Sequence, residues 1–145
     1  MIIRRGAGPC EAWSATLADA IFNATNRARA TAGLRPFIAS ATLAGLADGY
    51  AQRLLHGGQL SHTLGNTTLS SRLAGAGYAF SAAAENIAYQ RGREDSALSV
   101  LFMQSWMASA GHRRNILNAR LTELGVGTAS GDGATYAVQV FATPR

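Results

Sequence analysis

The stretch Trp106-Met-Ala-Ser-Ala-Gly-His-Arg-Arg-Asn-Ile-Leu117 combines a large aromatic residue, a glycine, a histidine and an arginine-rich turn. The residues before it are apolar at helical spacing, which predicts a helix packed on a core: Leu98, Leu101, Phe102 and Trp106. Asp95 or Ser96 is the expected N-cap of this helix. We expect Gly111 to end it, so that His112 opens a new short turn and can point into a cavity.

The whole chain has 145 residues, of which 48% are hydrophobic, and this is enough for one domain with one core. We therefore treat residues 1–145 as a single domain. No apolar run approaches the roughly 20 residues that a transmembrane helix needs. The opening Met1-Ile-Ile-Arg-Arg5 is basic without a following apolar segment, so we expect no intact signal peptide in this chain.

The formal net charge is +5, and all 13 basic residues are arginines. They are spread along the chain, without the dense basic runs or interleaved aromatic residues of nucleic-acid binders, so nucleic acid is not the expected partner. A basic surface that attracts anionic glycans or lipid head groups stays a minor alternative. Cys10 is the only cysteine, which excludes an intramolecular disulfide, and we interpret it as a bystander.

The first half of the chain predicts three helices. The first ends near Gly33 and has a predicted polar face formed by Asn23, Asn26, Arg27 and Arg29. Ser40 is the expected N-cap of the second helix, which ends at Gly57-Gly58 and has the inner face Leu43, Ala47, Tyr50, Ala51 and Leu54. A short third helix is expected from residue 67 or 68 to the Gly75-Ala-Gly77 turn.

The end of the chain predicts a pair of strands. In residues 135–142, Tyr136, Val138 and Val140 alternate with Ala137, Gln139 and Phe141, and Gly131-Asp-Gly133 forms a turn that joins them to residues 123–128. Helices thus come first and a hairpin comes last. This order predicts an α+β fold in which helices cover a small antiparallel sheet.

Three side chains that could bind a metal or one another, His62, Glu85 and His112, each lie on or beside an apolar segment. Their spacing matches no local metal motif. From the residues alone, two interpretations stay open. The three form a metal or ligand site, or Glu85 bridges the two histidines in a hydrogen-bonded network that fixes the core around Trp106.

Six segments in order resemble motifs of the CAP superfamily, which comprises the SCP-like, cysteine-rich secretory, antigen 5 and pathogenesis-related 1 proteins. They are Asn26-x-x-Arg29, Ser61-His62-Thr63, Glu85-Asn86-Ile87-Ala88, the stretch from Trp106 to Leu117, Gly125-Val-Gly127 and Tyr136-x-Val-Gln-Val-Phe141. The resemblance extends from about Ala15 to Phe141 and is to the short bacterial type.

The resemblance implies a three-layer α-β-α sandwich with a three- or four-stranded antiparallel sheet. It also implies a central cleft with two histidines and two acidic residues, where many members hold a divalent metal such as zinc. The matching metal ligands here are His62, His112 and Glu85, but Ser109 stands at the position of the second acid. Loss of that carboxylate should weaken zinc binding.

The function that the resemblance implies is that of a secreted or periplasmic, non-enzymatic domain. We expect a monomer that binds a small or apolar ligand, or a protein or glycan surface, in its cleft or in a groove between helices. The expected cleft residues are His62, Glu85, Asn86, Ser109 and His112. No complete set of nucleophile, base and orienting group is visible in the sequence, which favours binding over catalysis.

The alternative is a hydrolase, for example a peptidase. Ser109 or a metal-bound water would then be the nucleophile, and His112 or His62 the base. Glu85 would orient the base or act as general acid.

Overall fold

A computed structural model describes residues 16–92 and 95–145, without the side chains of Asp95 and Ser96. In the first part, the helices are α1 (Leu17–Thr31), α2 (Ala41–Gly57) and α3 (Leu69–Gly75), and β1 (Ile38–Ala39) is a short strand between α1 and α2. The second part contains β2 (Phe80–Arg91), α4 (Asp95–Ala108), α5 (Ala110–Ile116), β3 (Glu123–Gly131) and β4 (Ala134–Pro144). No helix within the described residues is long and apolar enough to cross a membrane.

The four strands form one sheet in the order β1-β3-β4-β2. Strands β3 and β4 form the predicted hairpin, and Asp132 and Gly133 at its turn have φ of 52° and 78°, the signs that a type I′ turn requires. Strand β2 pairs antiparallel with β4 and lies at the edge, whereas β1 pairs parallel with β3. The predicted antiparallel sheet is thus confirmed for three strands, and β1 makes the sheet mixed.

Helices cover both faces of this sheet, which gives the three-layer arrangement expected from the sequence. On one face, α2 packs against the even-numbered residues of β4, including Tyr136, Val138 and Val140. On the other face, α1 and α4 pack against the odd-numbered residues, including Ala137 and Phe141. The whole run 134–142 is therefore buried, although its residues alternate in direction.

Two glycines of β3 allow α2 to touch the sheet backbone. A Cβ atom at Gly125 would lie 2.1 Å from the backbone of Leu43 and Ala44, and one at Gly127 would lie 2.1 Å from the backbone nitrogen of Asp48. Two residues along a strand span about 6.6 Å and four along a helix about 6 Å. The glycine spacing of two therefore matches one helical turn of α2.

The predicted starts of α2 and α3 are confirmed, and the structure also shows the start of α1, for which no cap was predicted. Thr16 caps α1 in a capping box with Asp19, Ser40 caps α2, and Thr68 caps α3. All five residues predicted for the inner face of α2 are buried. The expected cap of α4 and Cys10 lie outside the described side chains.

Trp106 is the large buried residue of α4, with 1% of its surface exposed. Its indole Nε1 donates to the backbone oxygen of Ile87 at 3.2 Å, and its ring stacks on Phe102. The tryptophan thus ties α4 to β2 by packing and by one hydrogen bond.

The predicted helix break at Gly111 is wrong by two residues. Helix α4 ends at Ala108, and Ser109 has extended backbone angles (φ −102°, ψ 122°) at the N-cap position of α5. Gly111 lies inside α5, with no atom within 4 Å of the place for its Cβ. The interruption therefore lies in the extended backbone of Ser109, whose side chain makes no capping hydrogen bond, and it requires no glycine.

Arg29 does not lie on a polar face of α1 as predicted, since only 2% of it is exposed. Its guanidinium donates to the backbone oxygens of Arg35, Ile116 and Asn118 at 2.7, 2.9 and 3.0 Å. It also lies 3.8 Å from the ring centre of Phe37. The charged head therefore joins α1 to the end of α5 and to the segment before β1.

We expect Gly125→Ala to lower the free energy of unfolding by more than about 3 kcal/mol, because the added methyl group collides with rigid backbone rather than with a mobile side chain. Gly111→Ala is the matched control and should change stability by no more than about 1 kcal/mol, since its Cβ meets open space. Urea denaturation followed by circular dichroism measures both. Equal stability of the two variants would contradict the backbone contact between α2 and β3.

Candidate functional site

Glu85 is the buried acid of β2, and only 3% of its side chain is exposed. It shares the α2 face of the strand with Ile87, because residues two apart point the same way. A carboxylate in such a place needs a cation and hydrogen-bond donors nearby. Two neighbours supply them.

The cation is Arg72 of α3. Its Nη1 lies 2.6 Å from Glu85 Oε2 and its Nη2 lies 3.3 Å from Oε1, so the guanidinium contacts both carboxylate oxygens in a bidentate manner. Nη2 also donates to the backbone oxygen of His62 at 2.8 Å. The Arg72 side chain is itself only 8% exposed.

Tyr50 of α2 contacts both Arg72 and the loop that carries His62. The Arg72 guanidinium carbon lies 3.7 Å from the centre of the Tyr50 ring, a favourable cation–π distance. The Tyr50 hydroxyl donates to the backbone oxygen of Ser61 at 2.5 Å and accepts from the backbone nitrogen of Leu64 at 3.0 Å. One tyrosine thus holds both the arginine and the loop that carries His62.

His62 completes the set from the loop between α2 and α3. Its Nδ1 lies 2.9 Å from Glu85 Oε1, while 53% of the side chain is exposed. The ring edge that carries Nδ1 therefore faces the carboxylate, and Nε2 lies on the opposite edge of the ring. Both oxygens of Glu85 are occupied by these two partners.

His112, in α5, is half-buried. Burial, and secondly the charge on His62, lower its pKa below the usual 6.5. Its Nδ1 is buried without a hydrogen-bond partner among the described residues.

Asn86 follows Glu85 but points to the other face of β2 and is fully buried. Its Nδ2 donates to the backbone oxygen of His112 at 3.1 Å and to Gln139 Oε1 at 3.0 Å, and its Oδ1 accepts from Asn115 at 2.9 Å. Gln139 in turn donates to Thr25 of α1 at 2.8 Å. Asn86 therefore positions the segment of His112 from within the core and presents no surface to a ligand.

Ser109 lies half-buried between α4 and α5. Its hydroxyl makes no capping hydrogen bond to α5. Of the five residues predicted for the cleft, the structure joins His62 directly to Glu85, and no described hydrogen bond joins the His112 side chain to either. No described hydrogen bond links Ser109 to these three.

Arg72 and Tyr50 are the site residues that the sequence did not reveal as such. The signal was indirect, because a glutamate in an apolar run requires a cation. Nothing in the sequence says which arginine supplies it.

The family model for the cysteine-rich secretory protein family, CAP, matches residues 22–141. This match covers most of the chain and includes every residue of the site. The chain belongs to the CAP family.

Solved structures with the same fold include bacterial proteins. An extracellular protein containing an SCP domain from Bacillus anthracis is 31% identical, with a TM-score of 0.74 over 88% of this chain and 40% of the other. An outer surface protein from Borrelia burgdorferi is 21% identical, with a TM-score of 0.76 over 86% and 90%. A cysteine-rich secretory protein from Staphylococcus aureus is 23% identical, with a TM-score of 0.66 over 87% and 38%.

This CAP domain thus spans less than half of the Bacillus and Staphylococcus proteins. The Borrelia and Staphylococcus likenesses, below 25% identity, show the fold alone. A comparison with curated proteins finds no significant match.

The residues of this CAP domain do not fit the zinc site that the family resemblance implies. Among the described residues, no group of three or more His, Cys, Asp or Glu side chains is placed to hold a metal ion. A zinc site needs three protein ligands with free lone pairs. Glu85 is already engaged in this arrangement, because Arg72 and His62 make three contacts with its two oxygens, so a metal ion would have to compete with both.

The lowered pKa of His112 predicts a measurable titration. In NMR spectra recorded with chelator present, the His112 ring should titrate below 6.5. His62→Gln should raise this pKa without restoring the usual value, because burial is the larger cause. Since the folded pKa lies below the unfolded one, the contribution of His112 to stability should be lost as the pH falls below 6.5. A His112 pKa above 6.5 would contradict the described burial.

Proposed function

We propose that this CAP domain is an exported binding domain without catalytic activity, and that its ligand occupies a groove between α2 and α3. Export is supported by the Bacillus anthracis neighbour, which is named an extracellular protein. The groove has a volume of about 360 Å³, within the range of small-molecule sites.

The walls of the groove suggest the chemistry of the ligand. Its apolar lining is formed by Leu46, Tyr50, Ala76 and the glycines Gly45, Gly49 and Gly75. Its polar lining is formed by Arg53, Thr67, Ser71 and Arg72, of which Arg53 is exposed. Since the charge of Arg72 is already balanced by Glu85, Arg53 is the cation available to a ligand. The groove therefore suits a small molecule with an apolar body and an anionic group.

The observation that carries this proposal is the pair of glycines on α2. Gly45 and Gly49 are one helical turn apart, so they lie on the same face. A Cβ at either would meet no atom within 4 Å, so packing does not require glycine there. A glycine inside a helix costs about 0.5–1 kcal/mol relative to alanine. Their effect is to leave the groove open.

The His62–Glu85 pair supports binding better than catalysis. A carboxylate can orient a general base, but Glu85 here is also neutralised by Arg72, which weakens its effect on the imidazole. A hydroxyl nucleophile would have to lie within hydrogen-bond reach of the base. Within the described residues, Ser109 makes no such bond to His62 or His112.

The test uses 1-anilinonaphthalene-8-sulfonate, a fluorescent probe with apolar rings and one sulfonate. We expect saturable binding to the folded protein, with ¹⁵N chemical-shift changes concentrated in residues 45–53 and 67–76. Gly49→Leu, which fills the groove without backbone strain, should weaken binding at least about tenfold, a loss of about 1.4 kcal/mol.

Gly111→Leu is the matched control, because it adds the same side chain to an open helical position outside the groove. It should bind the probe like the wild type. Thermal melting of each variant establishes that it is folded at the temperature of the binding measurement. Equal probe affinity in wild type and Gly49→Leu would contradict the proposed site.

A further inference from the structure

We propose that Arg72 is a built-in cation that takes the place of a divalent metal in this CAP domain, so that Glu85 is closed to metal ions. This inference concerns the contacts of Glu85, which does not line the ligand groove, although Arg72 and Tyr50 line it.

The occupation of the carboxylate is the first argument. Three contacts of 2.6, 2.9 and 3.3 Å, from Arg72 and His62, use both oxygens of Glu85. An incoming metal ion would have to displace Arg72 or share the carboxylate with it. Sharing would place a dication beside a guanidinium, where like charges repel.

The burial of Arg72 is the second argument. Its side chain is 8% exposed and is held by the Tyr50 ring and the His62 backbone oxygen as well as by Glu85. Withdrawal would therefore break contacts with three residues at once. A guanidinium left in place without its carboxylate would be a buried, uncompensated charge, which is strongly unfavourable.

The third argument is the charge of the pocket, in which the single positive charge of Arg72 balances the single negative charge of Glu85. The pocket contains one carboxylate, and Ser109 stands where the family resemblance implies a second one. Arg72 and Glu85 neutralise each other completely. With Arg72 in place, a divalent ion would add two positive charges to an ion pair that is already neutral.

The orientation of His62 is the fourth argument. The imidazole meets Glu85 through Nδ1, so only Nε2, on the opposite edge of the ring, is free to ligate. His62 and Glu85 consequently cannot bind one ion together in this arrangement.

Isothermal titration with ZnCl₂ tests the inference. Zinc binding by the wild type should be no stronger than zinc binding by Glu85→Gln or His62→Ala. The melting temperature of the wild type should not change when zinc or chelator is added. Arg72→Met keeps an unbranched side chain similar to the aliphatic part of arginine but removes the positively charged guanidinium. This variant should gain zinc binding at least tenfold tighter than any in the wild type, and Glu85→Gln in the same background should abolish the gain.

Arg27→Met removes an exposed arginine of α1 and controls for the change in net charge; it should leave zinc binding as in the wild type. Wild-type zinc binding that disappears in Glu85→Gln would overturn the inference. So would a folded Arg72→Met protein that gains no zinc binding. If Arg72→Met does not fold, the comparison of wild type with Glu85→Gln and His62→Ala decides the question.

Discussion

The ion pair between Arg72 and Glu85 is the interaction on which the architecture of the site depends. Its contacts connect α3, β2, α2 through Tyr50, and the loop of His62. Removing one partner of a buried pair typically costs about 3–5 kcal/mol, because the other charge stays buried without compensation. An intact pair adds little net stability, so its main consequence is to fix one arrangement of these four segments.

Two further features position the segments around this pair. Gly125 and Gly127 seat α2 directly on the sheet, which places Tyr50 beside the guanidinium. On the opposite face of β2, Asn86 holds the backbone of His112. The side chain of His62 and the backbone of His112 are thus held from opposite faces of an edge strand, one by Glu85 and one by Asn86.

Local patterns were predictable, and tertiary partners were not. The inner face and cap of α2 follow from residue spacing and from Ser40, and the ordered motifs implied the three layers. Arg29 was misplaced although Ile21, Thr25 and Arg29 form one stripe at spacings of four, because an arginine is buried only when carbonyl oxygens from distant segments receive it. The same limit hid the Arg72 partner of Glu85. For the same reason, the metal prediction did not take account of the Arg72–Glu85 contact. The identity of a candidate ligand in a sequence does not show which other side chains already bind it.

The most direct test of the central claim is a crystal structure of the wild-type protein grown with ZnCl₂, with anomalous diffraction recorded at the zinc edge. The account predicts Arg72 in contact with both oxygens of Glu85 and no anomalous peak at that carboxylate. An anomalous peak at bonding distance from a Glu85 oxygen, about 2.0–2.2 Å, with Arg72 displaced, would contradict it.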